Sequence, residues 1–288
     1  MSQPDLKDII RYEYKRCATD YAYMFCKYGT ISHPMRGKIK FELYPFQEHT
    51  LSGLQKNRFN IILKSRQMGI STLSGAFCCA QMLFNSNYKI LIIATKQDVA
   101  MNLLDKVKLL HSELPVWLRQ KVVTLNKLSM EFENGSSIKA VSSAAHSGRS
   151  EALSLLIIDE AAFVDKIDDI WTASQMTLAT GGSAILLSTP NGVGNLFHKI
   201  WMKAEGGEVV EGLDKFNPIR LPWNLHPDRD EKWRLEQDDL LGPRSAAQEC
   251  DCLWGESRVT VLDKVTGAEK TVSLEELYQL ISQECNYL

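Results

Sequence analysis

The chain has 288 residues, of which 44% are apolar, 24% charged and 9% aromatic. That balance supplies a sizeable core and excludes global disorder, and no run of about 18 apolar residues exists to span a membrane. The net charge of −2 does not mark a nucleic-acid binder, but it hides an asymmetry: residues 1–40 carry eight Lys/Arg against four Asp/Glu, and residues 252–288 carry three against six. The start, Met1 to Lys7, lacks the basic and apolar regions of a signal peptide, and seven cysteines without metal-like spacing predict a reducing compartment.

Residues 5–28 read as helical, with Ile9, Ile10, Tyr14, Cys17, Tyr21, Met24 and Phe25 near the helical period. Pro34 and Gly37 break the pattern before Tyr44-Pro45-Phe46-Gln47. From Asn60 short apolar runs alternate with helical stretches. Ile61-Ile62-Leu63 predicts a buried strand and Ser71 to Leu83 the helix after it. Lys89 to Ala94 predicts a second strand, followed by a helix with Val99, Leu103, Leu104, Val107 and Leu110 on one face. Leu128, Met130 and Phe132 alternate with polar residues ahead of Asn134-Gly135, a two-residue hairpin signal. Leu155 to Ile158 and Ala184 to Leu187 are continuous apolar runs, as expected of strands covered on both faces of a parallel sheet. After Trp223 the texture loosens, apart from a helical Lys232 to Leu241 that stops at Gly242-Pro243. From Cys252 it changes again, to Val259, Val261 and Val265 with a Thr266-Gly267 turn and a capping box at Ser273-Leu274-Glu275-Glu276.

Lys64-Ser65-Arg66-Gln67-Met68-Gly69-Ile70-Ser71-Thr72 lies between a β-branched strand and a helix. Backbone N–H groups at such a helix start cradle phosphate, and a hydroxyl there binds Mg²⁺. Against G-x-x-x-x-G-K-[ST], Gly69 and Ser71 are in place, Lys64 replaces the first glycine and Ile70 replaces the lysine. The missing cation must come from elsewhere, and Arg66 and Lys64 are the candidates on the loop. Arg66, whose guanidinium clamps phosphate bidentately, is expected to matter more than Lys64. Further on, the run Leu155 to Ile158 ends in Asp159-Glu160. Asp159 is placed to hold Mg²⁺, and Glu160 to orient and deprotonate an attacking water. Ser188-Thr189-Pro190 ends another buried run.

In this order, with Tyr44-Pro45-Phe46-Gln47 upstream, these elements resemble the large terminase subunit of tailed bacteriophages, the ATP-driven motor that packages DNA into procapsids. The resemblance covers roughly residues 40–250. It implies an α/β fold, a parallel-sheet P-loop NTPase of the RecA/helicase-like ASCE type preceded by N-terminal helices. It implies that Gln47 reads adenine, that Lys64 to Thr72 hold ATP, and that Ser71 and Asp159 hold Mg²⁺. Glu160 becomes the catalytic glutamate, Arg66 a catalytic cation and Ser188-Thr189-Pro190 the coupling motif. Arg149, just before the Asp-Glu strand, is a weaker match to a transition-state arginine finger. Leu221-Pro222-Trp223-Asn224 resembles the segment that leads out of the ATPase core. The implied partners are double-stranded DNA, the phage portal and procapsid, the small terminase subunit and further copies in a ring, without a membrane, in the cytoplasm of an infected bacterium.

Large terminases continue into a nuclease domain, and the 37 residues from Cys252 leave no room for one. Cys252-Leu253-Trp254-Gly255-Glu256-Ser257-Arg258-Val259 instead resembles the opening block of an intein, so a short, incomplete, β-rich Hint-type fragment is expected here. The Cys252 thiol would attack the Asp251 carbonyl and form a thioester. All six histidines (His33, His49, His111, His146, His198, His226) precede Cys252, so the tail is expected not to splice alone. The consistent expectation is an N-terminal split-intein fragment whose complementary C-terminal polypeptide carries the missing histidines and the nuclease half. The expected organisation is 1–55 for the N-terminal helical segment and adenine motif, 56–222 for the ATPase core, 223–251 for a truncated linker or subdomain, and 252–288 for the intein fragment. Two rival readings are a stand-alone helicase-like NTPase and an inactive truncated nucleotide-binding module, which Ile70 favours.

Overall fold

The computed structural model describes residues 5–143, 152–207, 215–253, 258–262, 269–273 and 276–277. The N-terminal helical pattern resolves into two helices, α1 (Leu6–Thr19) and α2 (Tyr21–Tyr28). Asp20 divides them: its backbone N–H closes α1 on the Arg16 carbonyl, and its carboxylate accepts the Tyr23 N–H at 2.8 Å to cap α2. Glu13 then pins the pair, accepting from Tyr28 Oη at 2.7 Å, Tyr23 Oη at 2.9 Å and Lys27 Nζ at 2.9 Å. A hairpin follows where the sequence reads only as a break, β1 (Thr30–His33) against β2 (Gly37–Lys40). Pro45 then starts a helix that the sequence reading lacks, α3 (Pro45–Lys56), with proline in the first turn where no N–H is needed.

The core elements fall where the apolar runs place them: β3 (Phe59–Lys64), α4 (Ile70–Phe84), β4 (Lys89–Ala94) and α5 (Gln97–Glu113). Next come β5 (Val122–Leu125), β6 (Ser129–Phe132) and β7 (Ser137–Ser142), joined around Asn134-Gly135 as expected. Then follow β8 (Leu155–Asp159), α6 (Ile167–Leu178), β9 (Ser183–Ser188), α7 (Leu196–Glu205) and β10 (Asn217–Leu221). Among the described residues the main sheet has the order β10-β3-β9-β8-β4-β7-β6-β5. Every pair from β10 to β7 is parallel, and the last two pairs are antiparallel. The hairpin is therefore an extension of the sheet, attached through β7 to β4.

Residues of β3 and β8 are buried along their whole length, because helices cover both faces of the sheet. One face packs α3, α4 and α5 through Leu51, Leu73, Phe77, Leu103 and Val107, and the other packs α6 and α7 through Ile170, Trp171, Phe197 and Trp201. No helix among the described residues is long and apolar enough to cross a membrane.

After β10 come α8 (Glu231–Leu241), the short α9 (Pro243–Ala246) and a π-helical turn Ala247–Asp251. The tail forms the expected hairpin, β11 (Arg258–Leu262) against β12 (Glu269–Ser273). Its capping box is made in full: Ser273 N–H donates to Glu276 Oε2 at 2.8 Å, and Glu276 N–H to Ser273 Oγ at 3.1 Å. The expected turn at Thr266-Gly267, with Val265, lies outside the described residues.

Candidate functional site

Parallel register brings the strand ends to one edge. Leu63 pairs with Ser188, Asp159 with Leu187 and Lys64 with Leu221, so β3, β8, β9 and β10 finish side by side. The carboxyl edge of a parallel sheet is where open α/β folds bind ligands. Lys64, Asp159 and Ser188 all lie there, buried.

The chain leaves β3 through a loop that requires two left-handed residues, Gln67 at φ 59° and Gly69 at φ 72°. Gly69 has a second reason to be glycine: a Cβ there would stand 2.5 Å from Gln47 Nε2. Gln47 braces this turn from α3, donating from Nε2 to the Met68 carbonyl at 3.0 Å and accepting the Tyr44 N–H on Oε1 at 3.1 Å. The Tyr44 ring stacks on Phe46 at 5.7 Å and meets the His226 ring at 4.8 Å. Ser65, Met68 and Ile70 are buried, so this stretch offers its backbone rather than those side chains. Ile70 packs into the core beside Leu73, which is why an apolar residue serves where the usual pattern has lysine. Thr72 lines a separate cavity of about 510 Å³ with Lys106 and Asn102.

Ser71 Oγ donates to Asp159 Oδ2 at 3.3 Å. A hydroxyl and a carboxylate this close, at the first turn of α4, fit Mg²⁺, which takes one or two protein oxygens and fills its octahedron with phosphate and water. Asp159 is 3% exposed. Burial pushes its carboxyl above the usual range, with Glu160 adding to the push and the Lys64 ammonium opposing it. Glu160 sits in the left-handed region at φ 53°, and its Oε1 lies 3.0 Å from Lys64 Nζ. The two loop cations are thus held differently. Lys64 is inside, on the glutamate, while Arg66 is 67% exposed and its Nε lies 2.5 Å from Glu249 Oε2.

The end of β9 touches the Asp-Glu turn. Ser188 Oγ accepts the Ala162 N–H at 3.1 Å, and Asn191 Nδ2 donates to the Ala162 carbonyl at 3.0 Å. Thr189 Oγ1 is buried and has no hydrogen-bond partner among the described residues. Pro190 offers its carbonyl to Gln248 Nε2 at 2.8 Å.

Gln248 belongs to residues 223–251, read from the sequence as a truncated linker or subdomain. The segment folds back over the loop. Arg66 N–H donates to the Glu249 carbonyl at 2.9 Å, and Arg229 donates to the Arg66 carbonyl at 2.9 Å and to Ser65 Oγ at 3.2 Å. Sequence reasoning missed Arg229, Gln248 and Glu249, which stand in turn-like or short-helix stretches without a periodic signal. Arg149 lies outside the described residues. At the expected splice junction, Arg234 grips the Asp251 carboxylate with Nε and Nη2, each at 2.7 Å. Cys252 is 1% exposed, its Sγ donates to the Leu221 carbonyl at 3.3 Å, and burial pushes its thiol up to about 12.

A family description, "Terminase large subunit, T4likevirus-type, N-terminal", matches residues 61–267, which is most of the chain. The chain belongs to this family. The match begins inside β3 and runs past Cys252 into the tail. Solved structures agree at the level of fold. The large terminase ATPase domain of Thermus phage P74-26 is 20% identical and superposes with a TM-score of 0.59, over 74% of this chain and 95% of that one. The HK97 bacteriophage large terminase is 14% identical with a TM-score of 0.60, over 85% of this chain and 56% of that one. The large terminase of another thermophilic bacteriophage, in complex with ATP-gamma-S, is 10% identical with a TM-score of 0.59, over 78% of this chain and 57% of that one. This terminase chain therefore spans little more than half the length of the last two proteins, with a terminase ATPase fold.

Proposed function

We propose that the chain is the ATPase part of a phage DNA-packaging motor and hydrolyses ATP at the loop Lys64 to Thr72. The observation that carries this reading is the meeting of Lys64 with Glu160 and of Ser71 with Asp159 at one sheet edge, from segments some 90 residues apart in sequence. The α4 amides receive phosphate oxygens. Ser71 and Asp159 would hold Mg²⁺, which when bound would supply positive charge to offset that of the phosphates. Glu160 accepts a proton from a water whose oxygen forms the new bond to the γ-phosphorus, while the bond to the β–γ bridging oxygen breaks and ADP leaves. Lys64 holds Glu160 in place through their 3.0 Å ion pair, and lends positive charge to the phosphate side of the loop. Gln47 serves adenine recognition through the turn it braces, and Thr189 offers its spare hydroxyl near the γ-phosphate. Replacing Glu160 by Gln should preserve Mg·ATP binding and remove about 10²-fold or more of the turnover. Wild-type turnover in that variant would refute the assignment, and a wild-type chain that binds but never hydrolyses would favour the inactive-module reading.

Double-stranded DNA, portal and procapsid, the small terminase subunit and a ring of copies are the partners this reading implies, in the cytoplasm of an infected bacterium. Nucleic-acid-stimulated turnover without any of those proteins would favour the helicase-like alternative.

A finer proposal concerns the tail. Cys252 is the nucleophile of an N-terminal split-intein fragment, which a complementary polypeptide completes and joins to the nuclease half at Asp251. The β11–β12 hairpin and its capping box support this reading. The buried thiol works against it until the junction leaves the core. Mass spectrometry after mixing with the complementary fragment should find residues 1–251 ligated and a tail released from Cys252. Ligation by Cys252→Ala would refute the role.

A further inference from the structure

Arg229 has no role in the chemistry described above, yet its side chain bonds to three residues of the phosphate loop. It arrives from Pro227-Asp228-Arg229-Asp230, between β10 and α8. One Nη2 bond goes to the Arg66 carbonyl at 2.9 Å, and Nη1 reaches Ser65 Oγ at 3.2 Å and Met68 Sδ at 3.5 Å. Its guanidinium carbon lies 4.4 Å from the centre of the Trp233 ring, one turn into α8, and Asp230 beside it caps that helix through the Trp233 N–H at 2.8 Å. A planar fork on three loop residues, with its face on an indole, is a geometry that only arginine provides. The loop it grips includes Gln67 at φ 59°, a conformation that persists only when its surroundings impose it.

We propose that Arg229 is a positioning residue for nucleotide binding, which holds the phosphate loop in its receiving shape and carries the loop's occupancy to Trp233 on α8. The proposal rests on the reading of Lys64 to Thr72 as a nucleotide loop. Filling the loop with phosphate pulls on the Arg66 carbonyl and Ser65, and the guanidinium shifts over the indole in response. Arg229 touches no reacting atom. Its loss should therefore weaken binding far more than it slows the bound complex.

The test uses the full chain with Mg·ATPγS for affinity and Mg·ATP for turnover. Arg229→Ala should raise Kd and KM about tenfold and lower kcat less than about threefold. Arg229→Lys should recover less than half of the loss, since an ammonium has no fork. Indole emission should change when Mg·ATPγS binds the wild type, and that change should be lost in both Trp233→Phe and Arg229→Ala at saturating nucleotide. Unchanged Kd in Arg229→Ala overturns the proposal. So does an emission change that survives in either variant, or a kcat that falls as far as affinity does. A wild-type chain with no affinity for Mg·ATPγS would instead sink the nucleotide reading itself.

Discussion

Lys64 and Asp159 reach the phosphate loop from inside the sheet, whereas Arg66, Arg229 and Glu249 meet at a segment laid over the top. The inner pair is 6% and 3% exposed and is fixed by strand register. The outer group is anchored by a partly exposed ion pair and by hydrogen bonds to loop carbonyls. Charges held in the sheet are expensive and strongly coupled, so they set chemistry. On the clasp, the Arg66 charge lies largely in solvent and costs little to hold, while Arg229 is bonded to the loop itself, so the two set how the loop is presented.

Substitutions can break or sharpen this contrast. Glu160, supported by the inner pair, should show the largest effect, the hydrolysis loss of about 10²-fold in Glu160→Gln described above. Next, Lys64→Ala should cost more turnover than Arg66→Ala, because it leaves Glu160 without its partner at 3.0 Å. This reverses the order expected from the sequence, where guanidinium chemistry alone favours Arg66. Steady-state kinetics of the two variants decide it, and a larger loss for Arg66→Ala would place the working cation on the clasp.

Asp159 gives the contrast a pH dependence. Its carboxyl sits above the usual range in the folded chain, so the folded state binds the proton more tightly than the unfolded one. Stability of the nucleotide-free chain from this group therefore rises as pH falls from the folded value toward the ordinary carboxylate value, and Mg²⁺ affinity falls over the same interval. Asp159→Asn should raise the melting temperature of the nucleotide-free chain at pH 7 by about 2–4 °C while abolishing Mg²⁺-dependent turnover. A lower melting temperature would show that the Lys64 ammonium more than offsets the burial. The smallest effect belongs to the clasp: Glu249→Gln should change stability by about 1 kcal/mol or less in chemical denaturation, because Arg66 is largely in solvent.

The elements legible in the sequence share one physical property. β3, β4, β8 and β9 are covered on both faces, so they appear as uninterrupted apolar runs, and α4 and α5 repeat apolar residues at the helical period beside them. The β1–β2 hairpin escaped because Ile31 and Ile39 are its only aliphatic residues. Helix α6 carries Ile167, Ile170, Trp171 and Leu178 inward, but these four apolar anchors over twelve residues, between β8 and β9, make only a weak periodic signal. Helix α8 was legible through its stop at Gly242, although it buries none of its residues.

The candidate site divides the same way. Gly69, Ser71, Asp159 and Glu160 are readable because strand, loop and helix must follow one another directly for backbone amides to face phosphate, and local order is written in local sequence. The pairing of Lys64 with Glu160 spans 96 residues and depends on β9 lying between their strands, which no local pattern encodes. The bracing of Gly69 by Gln47 depends likewise on α3 packing against α4. Arg229 is the extreme case: in sequence it belongs to a polar turn, and only the return of residues 223–251 over the loop makes it a neighbour of Ser65 and Arg66. Sequence by itself determined the doubly covered strands β3, β4, β8 and β9 and where the carboxylates and loop hydroxyl follow them, because burial and backbone geometry act over a few residues. Tertiary structure alone decided which cation faces the glutamate and which arginine holds the loop, because those choices depend on strand order and on a chain reversal that hydrophobic periodicity does not record.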